Sequence, residues 1–74
     1  MNPPELLRTP VESPLLTAVT YSIDQTLQLE FRRGAVYRYF AVPPTVFHAL
    51  ISAESKGAYF NRTIRNHFRY QRLS

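Results

Sequence analysis

Four arginines in the last part of the sequence have the type and spacing that point most directly to chemistry. Arg62, Arg65, Arg69 and Arg72 follow one another at intervals of 3, 4 and 3 residues, which places side chains along one face of an α-helix. Arginine presents a planar fork of N–H donors that matches the oxygen atoms of phosphate. No carboxylate follows Glu54, so the pattern favours a polyanionic partner. A solvated helix face that only keeps the protein soluble is the alternative.

The segment Tyr37-Arg38-Tyr39 is a second place where side-chain chemistry suggests binding, because aromatic rings stack on bases. A three-residue hairpin loop over 32–34, ending in glycine, puts both tyrosines on the apolar face of a strand. Arg38 then lies on the other face beside Gln28. A two-residue loop would reverse this register and expose the tyrosines. We favour the first register, which buries more apolar side chains, and interpret Tyr37 and Tyr39 as structural.

Alternation of apolar and polar residues predicts two strands before this one. Val19, Tyr21 and Ile23 share one face of the first strand, and a second alternation covers residues 27–31. With the tyrosine strand, they form a three-stranded antiparallel meander.

Helical spacing follows the meander. Pro44 suits the first turn of a helix over 44–53. A second helix, over 59–72, would bury Phe60, Ile64 and Phe68 and present the four arginines on its opposite face. The predicted fold class is therefore α+β, with the three-stranded meander followed by two helices packed on one sheet face.

The length of the chain sets its organisation. Seventy-four residues with 45% hydrophobic content make one small domain with a core. Residues 1–14 hold four of the six prolines and are predicted to be an N-terminal tail, with the domain over 15–74. A domain of this size buries little apolar surface, so a homo-oligomer is expected.

The net charge and the cysteine content indicate the expected cellular compartment. The net charge is +4 and there is no cysteine, which fits a reducing cytoplasm. We find no basic n-region followed by an apolar run and no stretch that could span a bilayer, so we expect a cytoplasmic protein with no membrane partner.

Few residues offer catalytic or metal chemistry. The two histidines, His48 and His67, lie on different predicted helices without a neighbouring ligand at useful spacing. Two glycines cannot make a phosphate-cradling loop. The sequence therefore predicts no enzyme, no cofactor and no metal site.

An ordered series of short motifs resembles a known family. In chain order these are Val11-Glu12-Ser13, Tyr21, Leu29-Glu30-Phe31, Gly34, Tyr37-Arg38-Tyr39, Val42-Pro43, Ala53-Glu54-Ser55-Lys56-Gly57, Tyr59-Phe60-Asn61 and Ile64-Arg65. The series is similar to the KTSC domain, a module at the C-terminus of some lysyl-tRNA synthetases that also occurs as small bacterial and phage proteins. The resemblance implies RNA binding and gives no established catalytic residues.

The leading hypothesis is a small, non-catalytic nucleic-acid-binding module with RNA as its expected partner. The residues expected to contact the nucleic acid are Arg62, Arg65, Arg69, Arg72, Arg38, Lys56 and Tyr70. Arginine contacts to phosphate give affinity with little sequence specificity. The alternative is a small oligomeric protein that sequesters an anionic nucleotide or inhibits an acidic protein partner. A passive stabilising domain, which binds no polyanion, is the third hypothesis.

Overall fold

The computed structural model describes residues 7–74, which form one antiparallel sheet covered on one face by short helices. The sheet has five strands in chain order: β1 Leu7–Pro10, β2 Leu16–Tyr21, β3 Leu27–Phe31, β4 Val36–Tyr39 and β5 Tyr70–Arg72. The prediction of an α+β domain is confirmed. The prediction of three strands is wrong, because one further strand pairs at each edge of the predicted meander.

The register between β3 and β4 agrees with the three-residue loop. Tyr37 lies opposite Leu29, Tyr39 opposite Leu27, and Arg38 opposite Gln28. Tyr39 is only 4% exposed and packs in the core, whereas Tyr37 is half-buried. Both tyrosines therefore lie on the covered face, as the loop length predicts.

Gly34 makes this hairpin possible. Its φ is +104°, a conformation that side chains with a Cβ rarely adopt. The Gly34 amide donates to the Phe31 carbonyl oxygen at 2.9 Å, and the Phe31 amide donates to the Ala35 carbonyl oxygen at 2.8 Å. The glycine thus closes the loop and fixes which residues of β3 and β4 face each other.

Replacing Gly34 with alanine is expected to lower the free energy of unfolding by about 1 kcal/mol, from backbone strain alone. No atom lies within 4 Å of a Cβ built at this position, so no clash contributes. Gly57→Ala is the matched control, since Gly57 is helical and its added Cβ would lie 3.4 Å from the Leu15 Cβ. Chemical denaturation should show the control to be neutral or more stable. Equal losses from both variants would contradict strain as the cause.

Helix α1, Pro44–Ser52, begins at the predicted proline and packs across the sheet. The Tyr21 and Phe47 rings stack in parallel with centroids 4.5 Å apart, and the Tyr21 hydroxyl donates to the Val42 carbonyl oxygen at 2.6 Å. These contacts hold the first turn of α1 against β2.

The second helix is much shorter than predicted. Helix α2 is Lys56–Tyr59, with the Ser55 Oγ accepting from the Ala58 amide at its start, and it continues as a π-turn over Phe60–Ile64. The chain leaves the helical conformation at Arg65, and Asn66 has a φ of +67°, which asparagine tolerates better than most residues.

The prediction of a helix over 59–72, with four arginines on one face, is therefore wrong. Tyr70 and Arg72 instead belong to β5, where they lie opposite Tyr39 and Tyr37. Aromatic pairs across neighbouring strands stabilise a sheet, and a helix would have set four like charges side by side. The spacing of Phe60 and Ile64 that predicted a long helix is also compatible with the π-turn, because both side chains still pack in the core.

Two other boundaries differ from the prediction. Residues 7–10, within the predicted tail, form β1 and pair with β2, while residues 1–6 lie outside the described residues. Ile23, predicted on the apolar face, lies beyond the end of β2 and is 76% exposed.

Among residues 7–74, no helix is long and apolar enough to cross a lipid bilayer.

Candidate functional site

An open cavity of about 380 Å³ lies where the hairpin, the π-turn and β5 meet. We call it the tyrosine cleft. Its aromatic lining is Phe31, Tyr37, Tyr39, Phe60 and Tyr70. The other lining residues are Leu15, Arg33, Asn61, Arg65 and Asn66. The cleft therefore combines aromatic rings, amides and two guanidinium groups, and no carboxylate lines it.

The three tyrosines come from two neighbouring strands. Tyr37 and Tyr39 alternate along β4, and Tyr70 faces them from β5. The Tyr70 ring centroid is 5.6 Å from that of Tyr37 and 5.7 Å from that of Tyr39, with tilts of 42° and 36°. Tyr70 is 55% exposed, so its ring forms an accessible edge of the cleft.

The π-turn positions Asn61 and Arg65. The Arg65 amide donates to the Phe60 carbonyl oxygen at 2.8 Å, an i to i−5 bond that widens the turn by one residue. The Arg65 guanidinium in turn donates to the Asn61 Oδ1 at 3.4 Å. Insertions of this kind are frequent at functional sites, and this one brings both polar side chains to the cleft.

Arg33 reaches the cleft from the tip of the β3–β4 hairpin. Its guanidinium lies over the Phe31 ring, 5.2 Å from the ring centroid. Phe31 is held edge-to-face by Tyr37 and Phe60, at centroid distances of 5.6 and 5.3 Å. The arginine therefore rests on a fixed aromatic surface, which leaves its N–H edges available to a ligand.

Two opposing effects act on the pKa of Tyr39 in the cleft. Burial, together with the nearby tyrosines, raises the pKa of Tyr39 to about 12, although Arg65 and Arg33 act in the opposite direction. Like any tyrosine with a pKa of 10 or above, Tyr39 is protonated at neutral pH and can donate a hydrogen bond. Among residues 7–74, the Tyr37, Tyr39 and Tyr70 hydroxyls make no hydrogen bond to another side chain or to the backbone.

Ion pairing leaves the cleft arginines unneutralised. The ion pair found within residues 7–74 joins Arg8 on β1 to Glu30 on β3, with the Arg8 Nε 2.8 Å from the Glu30 Oε2. The hydrogen bond from Arg8 lowers the pKa of Glu30. Neither Arg8 nor Glu30 lines the cleft, so this ion pair does not neutralise Arg33 or Arg65.

The structure divides the residues predicted to bind nucleic acid into separate groups. Arg65 and Tyr70 line the cleft, and Arg72 lies beside it, with its guanidinium 5.8 Å from the Tyr37 ring centroid. Arg38 lies on the opposite, polar face of the sheet, where its guanidinium donates to the Gln28 Oε1 at 3.3 Å. Arg69 lies over Phe40, at 5.3 Å, on that same face.

The remaining two predicted residues point elsewhere. The Arg62 guanidinium lies 5.5 Å from the Tyr59 ring centroid, and the Lys56 Nζ donates to the Ala53 carbonyl oxygen at 3.0 Å. Sequence reasoning did not select Arg33, which lines the cleft, because it was interpreted only as part of a loop. Its position one residue before the hairpin glycine, and beside the tyrosine strand, was the available signal.

A second, shallower cavity of about 270 Å³ lies on the polar face of the sheet. Its lining includes Asp24, Gln28, Arg38 and Phe40, so it mixes charges of both signs. Within residues 7–74, no group of three or more histidine, cysteine, aspartate or glutamate side chains could hold a metal ion. The tyrosine cleft is therefore the stronger candidate for an anionic ligand.

Comparisons with known proteins agree on a family. A family model described as the KTSC domain matches residues 12–68. A crystal structure of a KTSC domain protein from Yersinia pestis superposes with a TM-score of 0.87 at 30% identity, covering 93% of this chain and 99% of that one.

The sequence relatives are of two kinds. A protein of Stutzerimonas stutzeri is 43% identical over 68 residues, covering 89% of this chain and 96% of its own length. A lysine–tRNA ligase of Trichormus variabilis is 51% identical over 53 residues, or 72% of this chain. The match spans only 9% of that ligase, so the similarity concerns a small segment of a much larger protein.

Proposed function

This chain belongs to the KTSC domain family, and we propose that it is a non-catalytic module that binds nucleic acid, with RNA as its partner. The observation that carries the proposal is the tyrosine cleft, an aromatic cavity with two arginines and no carboxylate in its lining. Aromatic rings combined with guanidinium groups are the side chains that bind unpaired nucleotides in proteins.

Contacts with neighbouring side chains hold the arginines around the cleft in position before phosphate binds. Arg33 and Arg72 each lie over an aromatic ring, and Arg65 is held by Asn61. A guanidinium fixed in this way loses less side-chain freedom when it binds, so more of the interaction energy appears as affinity. RNA is favoured as the polyanion because relatives with a matching segment are lysine–tRNA ligases, which is support by association.

Charge reversal at the cleft tests the proposal. The double variant Arg33→Glu/Arg65→Glu is expected to bind a fluorescently labelled single-stranded RNA about tenfold more weakly, a loss of about 1.4 kcal/mol. Two lost phosphate contacts should also reduce the slope of log affinity against log salt concentration by about two. Anisotropy titrations at several salt concentrations measure both quantities.

The matched control is Arg38→Glu/Arg69→Glu on the polar face. Both double variants lower the net charge from +4 to zero, so they differ only in where the charges lie. The control should bind RNA several-fold more tightly than the cleft variant, once circular dichroism shows that both fold. Equal losses would place the binding surface outside the cleft, and no RNA binding by the unmodified protein near physiological salt would refute the function.

A small anionic nucleotide is the second candidate ligand, favoured by the size of the cleft. Its volume of about 380 Å³ falls at the lower end of the range for small-molecule sites, roughly 300–1,000 Å³. Sequestering such a nucleotide predicts saturable binding in a fixed ratio to protein, and no added affinity for a longer RNA. The expected homo-oligomer is checked in the same samples by light scattering.

A further inference from the structure

We propose that the tyrosine cleft holds the base and phosphate of one unpaired nucleotide, so that the domain selects single-stranded, looped or terminal RNA over duplex RNA. The inference rests on the proposed function and adds which part of the RNA is recognised. Four features of the cleft carry it: a free aromatic face, an edge of donors and acceptors, a place for phosphate, and limited size.

The stacking surface is Tyr70. More than half of its side chain is exposed, and its ring meets Tyr37 and Tyr39 only at an angle. With ring centroids only 5.6 and 5.7 Å from Tyr70, Tyr37 and Tyr39 leave no room for a base between the rings. A base therefore stacks on the exposed part of the Tyr70 ring. Stacking of one base on such a ring contributes about 1–3 kcal/mol.

The polar edge consists of amides and hydroxyls. Asn61 and Asn66 line the cleft and are exposed, and each side-chain amide offers both donors and acceptors. The Tyr39 hydroxyl lines the same cleft and adds a donor, since a tyrosine is protonated at neutral pH. A base edge presents donors and acceptors together, so this lining suits a base better than it suits a simple anion.

The phosphate position lies between Arg33 and Arg65. Both guanidinium groups line the same cavity as the tyrosines, from the hairpin and the π-turn respectively. Their charges are not offset by a carboxylate in the lining. One nucleotide can therefore place its base on Tyr70 and its phosphate against these arginines.

The concave shape of the cleft favours an unpaired base over a paired one. The bases of an A-form duplex are stacked inside the helix, and only an unpaired or extruded base can enter a concave site. The cavity volume of about 380 Å³ lies within the range of sites for small molecules, which suits a ligand of the size class of one nucleotide. A free nucleoside monophosphate carries the same base and phosphate as a nucleotide within RNA. The experiment must therefore distinguish these two ligands.

The experiment uses the full chain with a labelled ten-nucleotide adenosine RNA, alone and paired with its complement. The single strand is expected to bind about tenfold more tightly than the duplex. Unlabelled AMP should displace the single strand at about tenfold lower concentration than ribose 5-phosphate, which carries the same phosphate without the base.

Variants of Tyr70 separate stacking from charge. Tyr70→Ala is expected to weaken single-strand binding about tenfold with an unchanged salt slope, whereas Tyr70→Phe stays within about threefold of the unmodified protein. If Tyr70→Ala does not fold, the exposed Asn61→Ala replaces it and should narrow the preference for AMP over ribose 5-phosphate. A merely structural role of Tyr70 would not reproduce this pattern.

The possible outcomes distinguish failure of this inference from failure of the proposed RNA function. Equal binding of duplex and single strand, with AMP no better than ribose 5-phosphate, overturns this inference and leaves RNA binding intact. If isothermal titration calorimetry detects AMP binding while neither RNA binds, the cleft is assigned to a free nucleotide and the RNA function is overturned. Absence of binding to RNA and to AMP overturns both.

Discussion

Replacing Ile64 with alanine is expected to lower the free energy of unfolding by about 3 kcal/mol, a large part of the stability of a small domain. Ile64 is fully buried and ends the π-turn, where it packs in the core with Phe60. Shortening it removes apolar contacts and leaves a cavity that the surrounding side chains fill only in part. Denaturation with urea, followed by circular dichroism, measures the change.

Ile23→Ala is the control, because it makes the same chemical change at an exposed site. Ile23 is 76% exposed, so its removal should alter the free energy of unfolding by no more than about 0.5 kcal/mol. Similar losses from the two variants would mean that Ile64 does not pack as described. The comparison also tests the correction at Ile23, which the strand pattern had placed on the apolar face.

The raised pKa of Tyr39 makes the domain less stable at high pH. In the folded protein the pKa is about 12 instead of the ordinary 10, because burial disfavours the phenolate. Below pH 10 the hydroxyl is protonated in both states, and the stability is fully present. As the pH rises from 10 to 12, the unfolded chain loses the proton first, so the free energy of unfolding falls by about 1 kcal/mol, because solvent screens part of the effect.

Spectrophotometric titration of the tyrosines, with Tyr39→Phe as the comparison, checks this expectation. The variant should lack part of the late absorbance change, and its stability should decline less between pH 10 and 12. Some late titration will remain, because burial also raises the pKa of Tyr21. A variant whose titration and pH dependence match those of the unmodified protein would show that Tyr39 ionises normally.

Local sequence predicted the hairpin but not the edges of the sheet. Gly34 and the three-residue loop specify the register of β3 and β4 almost alone, since few other residues accept a φ of +104°. Strand β5 is different, because its three residues are all exposed and its stability comes from pairing with β4. Periodicity within the segment could not reveal that pairing, and the helical spacing of Phe60 and Ile64 pointed the other way.

The residues of the candidate site were likewise predicted from the sequence only in part. Arg65 and Tyr70 were selected from charge and residue type, and the structure places both at the cleft. The reason given for grouping the arginines, a common helix face, was wrong. Arg33 and Arg65 line the same cavity because the fold brings the hairpin tip and the end of the π-turn to it. No spacing along the sequence indicates that arrangement. Whether these residues bind RNA remains the proposal tested above.

The order of the strands also determines how the protein acquires its shape. Strands β1 to β4 each pair with the next along the chain, so their loops are short and close at little entropic cost. Strand β5 can pair with β4 only after residues 40–69 have folded back. We therefore expect the meander to assemble first and Tyr70 to dock last. During synthesis, four strands of the sheet can therefore pair before the residues that complete the tyrosine cleft have been added.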